Sequence, residues 1–186
     1  DVDAKALQKQ LEAAFRTWKP GTAPAHASHA EPALKGIRVR LVDKPDQTQS
    51  QIVLGHLGMA HGDKDFYAVQ IMNYGLGGGG FSSRLMKVVR SEGGKTYGAR
   101  SGFDAFATRG AFAASTFTRS EETLSTLQLV LGEIATMKAS GPTAEEMSDA
   151  KANLAGRWVT GFESASDVAG TVLAAELHGF GDDYVR

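Results

Sequence analysis

The stretch LGGGGFSSRLMKVVRSEGGKTYGARSGF, residues 76–103, contains two glycine groups with a helical pattern between them. Four consecutive glycines precede FSSRLMKVVRSE, which begins with two candidate capping serines and ends at Gly93 and Gly94. The residues from Thr96 onward favour a strand. A glycine turn, a short helix, a second glycine turn and a strand are therefore predicted here, and the rest of the chain is placed around them.

The elements predicted on either side indicate an α+β domain. A helix over DKDFYAVQIMNYGL precedes the glycines, and two strand patterns, KGIRVRLVDK and QTQSQIVLGHLG, precede that helix. A second strand, GAFAASTFT, follows the quoted stretch. Hairpins in place of regular βαβ crossovers predict a mostly antiparallel sheet with helices packed on one face.

Three helices are predicted after the last strand. The first runs from about residue 121 to 139, and its inward side chains are predicted to be Leu124, Leu127, Leu131, Ile134 and Met137. The second opens on a capping box formed by Thr143 and Glu146, and the third covers about residues 165–178.

The N-terminal part has a different organisation. DVDAKALQKQLEAAFRTW has helical spacing with Asp3 as N-cap, and the Pro-, Ala- and Gly-rich KPGTAPAHASHAEP after it is typical of a linker. We predict a closing helix of a preceding domain over residues 1–19, a linker over 20–34, and a domain over 35–186. The chain opens without Met and closes just after a helical pattern, so we expect a piece of a longer protein whose last domain is truncated.

Composition excludes several classes of function. Apolar residues make up 42% and charged residues 22%, as in soluble globular proteins, and the net charge of −1 gives no attraction to nucleic acid. Cysteine is absent, which excludes disulfides and thiolate metal sites. No run approaches the roughly 18 apolar residues of a membrane span. We expect neither nucleic acid nor membrane insertion among its interactions.

The glycines and the GGKT sequence do not form a phosphate-binding motif. A Walker A loop requires a glycine five residues before Gly94, and that position is Val89. Gly75, Gly77 and Gly80 match G-x-G-x-x-G, but they follow a helix and not a strand. A tight turn through positive φ explains some of the glycines but leaves the length of the run unexplained. A glycine surface that another backbone can approach is the second interpretation.

The histidines do not form a zinc-peptidase motif. Neither H-E-x-x-H nor H-x-x-E-H occurs among His26, His29, His56, His61 and His178. The first two lie in the predicted linker, and the next two flank a strand end. We therefore predict no metal site and no cofactor in this chain.

The quoted stretch resembles a segment of the pitrilysin/insulinase family of zinc peptidases. In that family a glycine-rich turn leads into SRL, a short helix, an Arg, and a Tyr seven positions later, here Arg90 and Tyr97. QSQIVLG is similar to the family's second strand, PTAEEMSDAKANLAGRWVTGFES to its paired C-terminal helices, and DVDAKALQKQLEAAFRTWKPG to the closing helix of a preceding homologous domain. Family members consist of paired homologous domains that close around a peptide. One half carries an inverted zinc motif, and the other lacks it.

The resemblance implies the non-metal half, with a metallohydrolase-like fold. Zinc is expected in a homologous partner domain or subunit, and a peptide is the expected substrate. Arg90 and Tyr97 are the implied catalytic pair, and the implied substrate-binding residues are Gly77, Gly78, Gly79, Gly80, Phe81 and Arg84. A non-catalytic peptide-binding or structural subunit is the alternative function. The resemblance also suggests a periplasmic or cell-envelope location, with the cytoplasm as the alternative.

The chemistry of the implied pair fits peptide hydrolysis. A neutral Tyr hydroxyl can donate to the oxyanion of the tetrahedral intermediate, and an Arg fork can bind peptide carbonyls. The alternative interpretation is that Arg90 pairs with Glu92 or another acid and that Tyr97 packs in the sheet. Arg84 is equally consistent with buttressing the loop. Arg100, Arg109 and Arg119 are predicted to be solvated strand positions.

Overall fold

The computed structural model describes residues 2–22 and 35–185, and contacts divide the chain into two units, Asp1–Val42 and Asp43–Arg186. Most of the predicted linker, with His26 and His29, lies outside the described residues. The proposed domain boundaries stay predictions.

The first unit contains the predicted N-terminal helix. Helix α1 covers Ala4–Phe15, and the Asp3 carboxylate accepts hydrogen bonds from the backbone N–H of Lys5 (2.9 Å) and Ala6 (3.1 Å). The N-cap is therefore the one that the sequence predicts, because the orphan N–H groups of a first turn need a nearby acceptor.

The strand predicted over residues 35–44 is wrong. This segment joins no sheet within the described ranges, and the side chains of Ile37 and Val39 are 95% and 88% exposed. Alternating apolar residues specify a strand only where a neighbouring strand takes up the backbone N–H and C=O groups and one face is covered. Neither condition is met here.

The second unit is an α+β fold, as predicted. Its regular elements are β1 (Gln49–Leu57), α2 (Phe66–Asn73), β2 (Ala99–Phe103), β3 (Ala111–Arg119), α3 (Thr123–Ser140), α4 (Ala144–Thr160) and α5 (Ala165–His178). Short 3-10 turns cover Gly80–Ser82, Ser120–Glu122 and Asp182–Val185, and two π-helical segments cover Tyr74–Gly78 and Met86–Glu92. No helix in the described ranges has both the length and the apolar character needed to cross a membrane.

The sheet is antiparallel, with the strand order β1-β3-β2. Along the central strand, Phe112, Ala114, Thr116 and Thr118 are buried under the helices, and the alternate side chains face the other way. The core joins this covered face to the two π-helical segments and α3 through Leu76, Leu85, Val89, Ala99, Phe112, Ala114, Val130 and Met137. The prediction of helices packed on one face of the sheet is confirmed.

The predicted buried face of α3 is partly wrong. Met137 is buried and Ile134 packs against the core, but Leu124 and Leu131 are 66% and 47% exposed. Thr126 is buried instead, and its hydroxyl donates to the Thr118 hydroxyl on β3 (3.2 Å). The helix carries apolar side chains around much of its circumference, so periodicity alone does not select the buried face.

The four-glycine run forms a tight turn between two helical segments. Gly77 lies against Ser101 of β2, where a Cβ atom would overlap the Ser101 backbone nitrogen and hydroxyl. A Cβ at Gly78 would approach Asn73 Nδ2 to 2.8 Å, and one at Gly79 would approach the backbone oxygen of residue 74 to 2.7 Å. Gly80 has φ +61°. Each position thus favours glycine for its own reason, which explains the length of the run.

Substitution of Gly77 tests this packing. We expect Gly77→Ala to lower the free energy of unfolding by about 2 kcal/mol or more, because the added methyl forces the turn away from β2. The measurement is urea unfolding followed by circular dichroism.

Gly132→Ala is the matched control. Gly132 lies in α3, and a Cβ there meets open space. We expect this variant to be unchanged or stabilised by up to about 1 kcal/mol, since alanine favours helix over glycine. Equal destabilisation by both variants would contradict the packing argument.

Candidate functional site

Tyr97 lies at the tip of a turn that is held on both sides. The Thr96 hydroxyl accepts from the Gly98 N–H (3.1 Å) and donates to the Gly98 carbonyl (3.0 Å), which also accepts from the Thr116 hydroxyl (2.9 Å). The Tyr97 side chain is 81% exposed, and its hydroxyl makes no hydrogen bond within the described ranges. The turn therefore presents a phenol to solvent from a backbone that is fixed by hydrogen bonds.

The base of this turn is anchored to the sheet and to the start of α3. Lys95 pairs with Glu122 (2.6 Å), and the Lys95 carbonyl accepts from the Thr118 hydroxyl (2.7 Å). Hydrogen bonds from Lys95 and then from Ser125 lower the pKa of the Glu122 carboxyl. Residues before and after Tyr97 are thus held by independent contacts.

Arg90 lies in the π-helical segment Met86–Glu92, and its guanidinium lies over the Phe81 ring, 4.7 Å from the ring centroid. Phe81 is itself 73% exposed, so this cation–π contact is at the surface. Arg90 and Glu92 form no ion pair in the parts of the chain that the structure describes. The contacts of the alternative interpretation, an Arg90–Glu92 pair and a packed Tyr97, are therefore not present there.

A cavity of about 350 Å³ lies beside β2 and β3, next to the glycine turn. Its lining consists of Gln51, Gly77, Gly80, Met86, Gly98, Ala99, Arg100, Ser115, Thr116 and Phe117. Gly80 and Gly98 are the direct sequence neighbours of Phe81 and Tyr97. Among the eight predicted site residues, only Gly77 and Gly80 line this cavity. The other six do not: Gly78, Gly79, Phe81, Arg84, Arg90 and Tyr97.

Arg84 makes structural contacts. Its guanidinium binds both carboxylate oxygens of Glu146 at 2.7 Å and donates to the Gly141 carbonyl (2.9 Å). Glu146 Oε2 also accepts from the Thr143 N–H (2.7 Å), which completes the predicted capping box of α4. The SRL segment is thereby tied to the α3–α4 connection. Substrate binding by Arg84 stays a prediction, and its contacts are those of the buttressing role that the sequence also allowed.

The Arg84–Glu146 pair has a clear electrostatic consequence. The hydrogen bonds from Arg84, followed by those from Thr143, lower the pKa of the Glu146 carboxyl from 4.5 to about 2. The same pair raises the pKa of Arg84. Both side chains are mostly buried, so the two charges require each other.

The described histidines make packing contacts. The rings of His56 and Phe112 stack with centroids 4.9 Å apart, and His61 stacks on Phe66 (4.3 Å) and on His178 (4.8 Å). Within residues 2–22 and 35–185, no three His, Asp or Glu side chains lie close enough together to share a metal ion.

Sequence reasoning missed the side chains that hold the site in place. Thr96 could have been found, because a threonine two residues before a glycine is typical of a side-chain-stabilised turn. The sequence around Thr116, Ser115 and Gln51 does not predict that they line the cavity, since their position there depends on the strand register. Arg100 was expected to be only solvated, yet it lines the cavity.

Comparison with known proteins supports the resemblance to a zinc-peptidase family. The sequence model of the family described as "Peptidase M16 inactive domain" matches residues 1–154. An uncharacterized zinc protease of Streptomyces coelicolor is 28% identical over 182 residues, which is 95% of this chain and 39% of that protein. One of Mycobacterium tuberculosis is 29% identical over 141 residues, or 76% of this chain and 32% of that protein.

Two solved structures are similar in fold. A peptidase M16 inactive domain from Pseudomonas fluorescens has a TM-score of 0.69 and 38% identity, covering 75% of this chain and 32% of that one. A protease from Helicobacter pylori has a TM-score of 0.82 over 96% of this chain and 44% of that one, and at 22% identity it supports the fold alone. The chain thus spans less than half the length of these relatives.

Glu146→Gln tests the link between the SRL segment and α4. Because the folded pKa lies below the unfolded value, ionised Glu146 stabilises the fold above pH 4.5, and this contribution is lost as the pH falls towards 2. We expect Glu146→Gln to cost about 2 kcal/mol at pH 7. The difference from wild type should shrink between about pH 5 and 2 in thermal or urea unfolding.

Glu145→Gln is the control, because this neighbouring side chain is exposed and lies in the same first turn of α4. It should change stability by less than about 0.5 kcal/mol at every pH. An unchanged pH profile for Glu146→Gln would show that the pair does not stabilise the fold.

Proposed function

The chain belongs to the peptidase M16 inactive-domain family, and on that premise we propose that it is the non-metal half of a zinc-dependent endopeptidase. It binds the peptide and stabilises the tetrahedral intermediate for a zinc-bearing homologous domain or subunit, and it is inactive alone. The zinc protease names of its relatives support this proposal. A periplasmic or cell-envelope location belongs to the same proposal and rests on the resemblance alone.

The observation that carries the proposal is the exposed Tyr97 hydroxyl on a held turn. A donor contributes most to oxyanion stabilisation when it is already positioned and has no competing partner. Thr96 and Thr116 hold the backbone on the C-terminal side of the tyrosine, and the hydroxyl is without a hydrogen-bond partner among the described residues. The Tyr97 O–H can donate a hydrogen bond to an oxyanion.

Arg90 has the complementary role of binding substrate. Its guanidinium lies over the Phe81 ring and makes no ion pair within the described ranges, so its N–H donors are available to peptide carbonyls. Phe81 then positions Arg90 and offers an exposed apolar ring to a substrate side chain.

In this proposal the two halves of the peptidase supply different groups to the reaction. Zinc bound to the partner domain supplies an activated water. This chain supplies the Tyr97 donor, the Arg90 guanidinium, and the exposed Gly80, which a peptide backbone can approach closely. The open cavity beside Gly77 and Gly80 gives room for a side chain of that peptide.

The test is turnover of a peptide by this chain with the zinc-bearing partner. We expect Tyr97→Phe to lower kcat about 100-fold with little change in KM, because the hydroxyl acts in the transition state. The chain without its partner should cleave nothing.

Tyr67→Phe is the matched control. Its hydroxyl contacts the Tyr184 hydroxyl (3.2 Å) and Tyr67 does not line the cavity beside the glycine turn, so kcat should be unchanged. Unaltered turnover in Tyr97→Phe would instead support the structural or purely peptide-binding subunit. Cleavage by the isolated chain after chelator treatment would exclude the proposal altogether.

A further inference from the structure

Arg100 combines a position at the cavity with a charge that no acid among the described residues pairs with. It lies on β2 opposite Ser115 of β3, and its Nε donates to the Ser115 hydroxyl (3.3 Å). Both residues line the 350 Å³ cavity beside the glycine turn. The cross-strand hydrogen bond limits the rotamers of a long side chain and keeps the guanidinium at this cavity.

The charge of Arg100 is not neutralised by this chain's described residues. Arg84, Lys95 and Arg119 each pair with glutamates, whereas Arg100 has no ion pair in the described ranges. It is also the only ionisable side chain among the ten described residues that line the cavity. The electrostatic character of the cavity therefore depends on one guanidinium.

The remaining lining provides groups that a short acidic side chain can contact. Phe117 offers apolar contact to its methylene groups, while Gln51 and Ser115, on the same face of the sheet as Arg100, provide polar groups beside the guanidinium. A volume of about 350 Å³ is at the lower end of that of ligand pockets and accommodates one side chain easily. Gly80 is exposed and carries no side chain, so the attached backbone can come close to it.

We infer that Arg100 determines specificity by binding an Asp or Glu side chain of the peptide in this cavity. The inference rests on the proposed function, since it requires that the chain binds peptide. A carboxylate can accept from the Arg100 N–H groups that Ser115 does not use. A Lys or Arg side chain is repelled by Arg100, and a large apolar side chain would desolvate the guanidinium without giving it a partner.

The experiment uses this chain together with its zinc-bearing partner. A set of peptides carries a single Glu, Gln or Lys at successive positions around one cleavage site, and kcat/KM is measured for each. At one position we expect Glu to exceed Gln by about three- to fivefold, as for an exposed ion pair. The preference should decrease when the salt concentration is raised.

Two substitutions of Arg100 separate specificity from folding. Arg100→Gln should abolish the preference for Glu over Gln, and Arg100→Glu should reverse it towards Lys, while cleavage of the Gln peptide stays within about twofold. The matched control is Arg119→Gln on β3, where the native side chain pairs with Glu121 and Glu122 outside the cavity. This control should keep the wild-type preference.

Peptide binding to the metal-free pair, measured by fluorescence anisotropy, tests the inference without turnover. The same Glu preference and the same dependence on Arg100 are expected. A preference that survives in Arg100→Gln, or equal binding of the Glu and Gln peptides to wild type, would overturn the inference. If Tyr97→Phe still slows turnover in that case, the proposed function stands without it. If Tyr97→Phe has no effect while Arg100 controls binding, the oxyanion role fails and the binding site remains.

Discussion

The close approach of the glycine turn to β2 is the constraint on which the rest of the site depends. Gly77 leaves no space for a side chain against Ser101, and Asn73 and Ser101 exchange two buried hydrogen bonds at the same place (2.7 and 3.2 Å). Separating a buried hydrogen-bonded pair of this kind costs free energy. The end of α2 is therefore fixed against β2. Phe81, Arg90 and the cavity are all placed from this contact.

The site is built from exposed groups on a constrained backbone. Around Tyr97, threonine hydroxyls and the Lys95–Glu122 pair fix the main chain while the phenol stays in solvent. Arg90 contacts an aromatic ring and pairs with no acid among the described residues, so its charge is not neutralised there. Arg84 differs from both, because its charge is neutralised by Glu146 within the fold. Two arginines and a tyrosine in one stretch thus differ in what each one contacts.

Local chemistry explains which features could be predicted. The caps at Asp3 and Thr143, the hairpin of β2 and β3 and the helix over residues 165–178 depend on residues close together in sequence, and each is present as predicted. The strand over 35–44 and the buried face of α3 depended on distant partners. An alternating segment forms a strand only if a neighbouring strand pairs with it. A helix with leucines around its circumference can bury any of several faces, and tertiary packing selects one.

The sequence by itself determined the family, the α+β class and the candidate Arg90 and Tyr97 pair, because motif spacing and hydrophobic periodicity are properties of neighbouring residues. Only the tertiary structure decided that Arg84 binds an acid 62 positions away, and that Arg100 meets a serine 15 positions away at a cavity. The strand register and helix packing bring these partners together. A side chain's partner determines whether its charge stabilises the fold or stays available to a ligand.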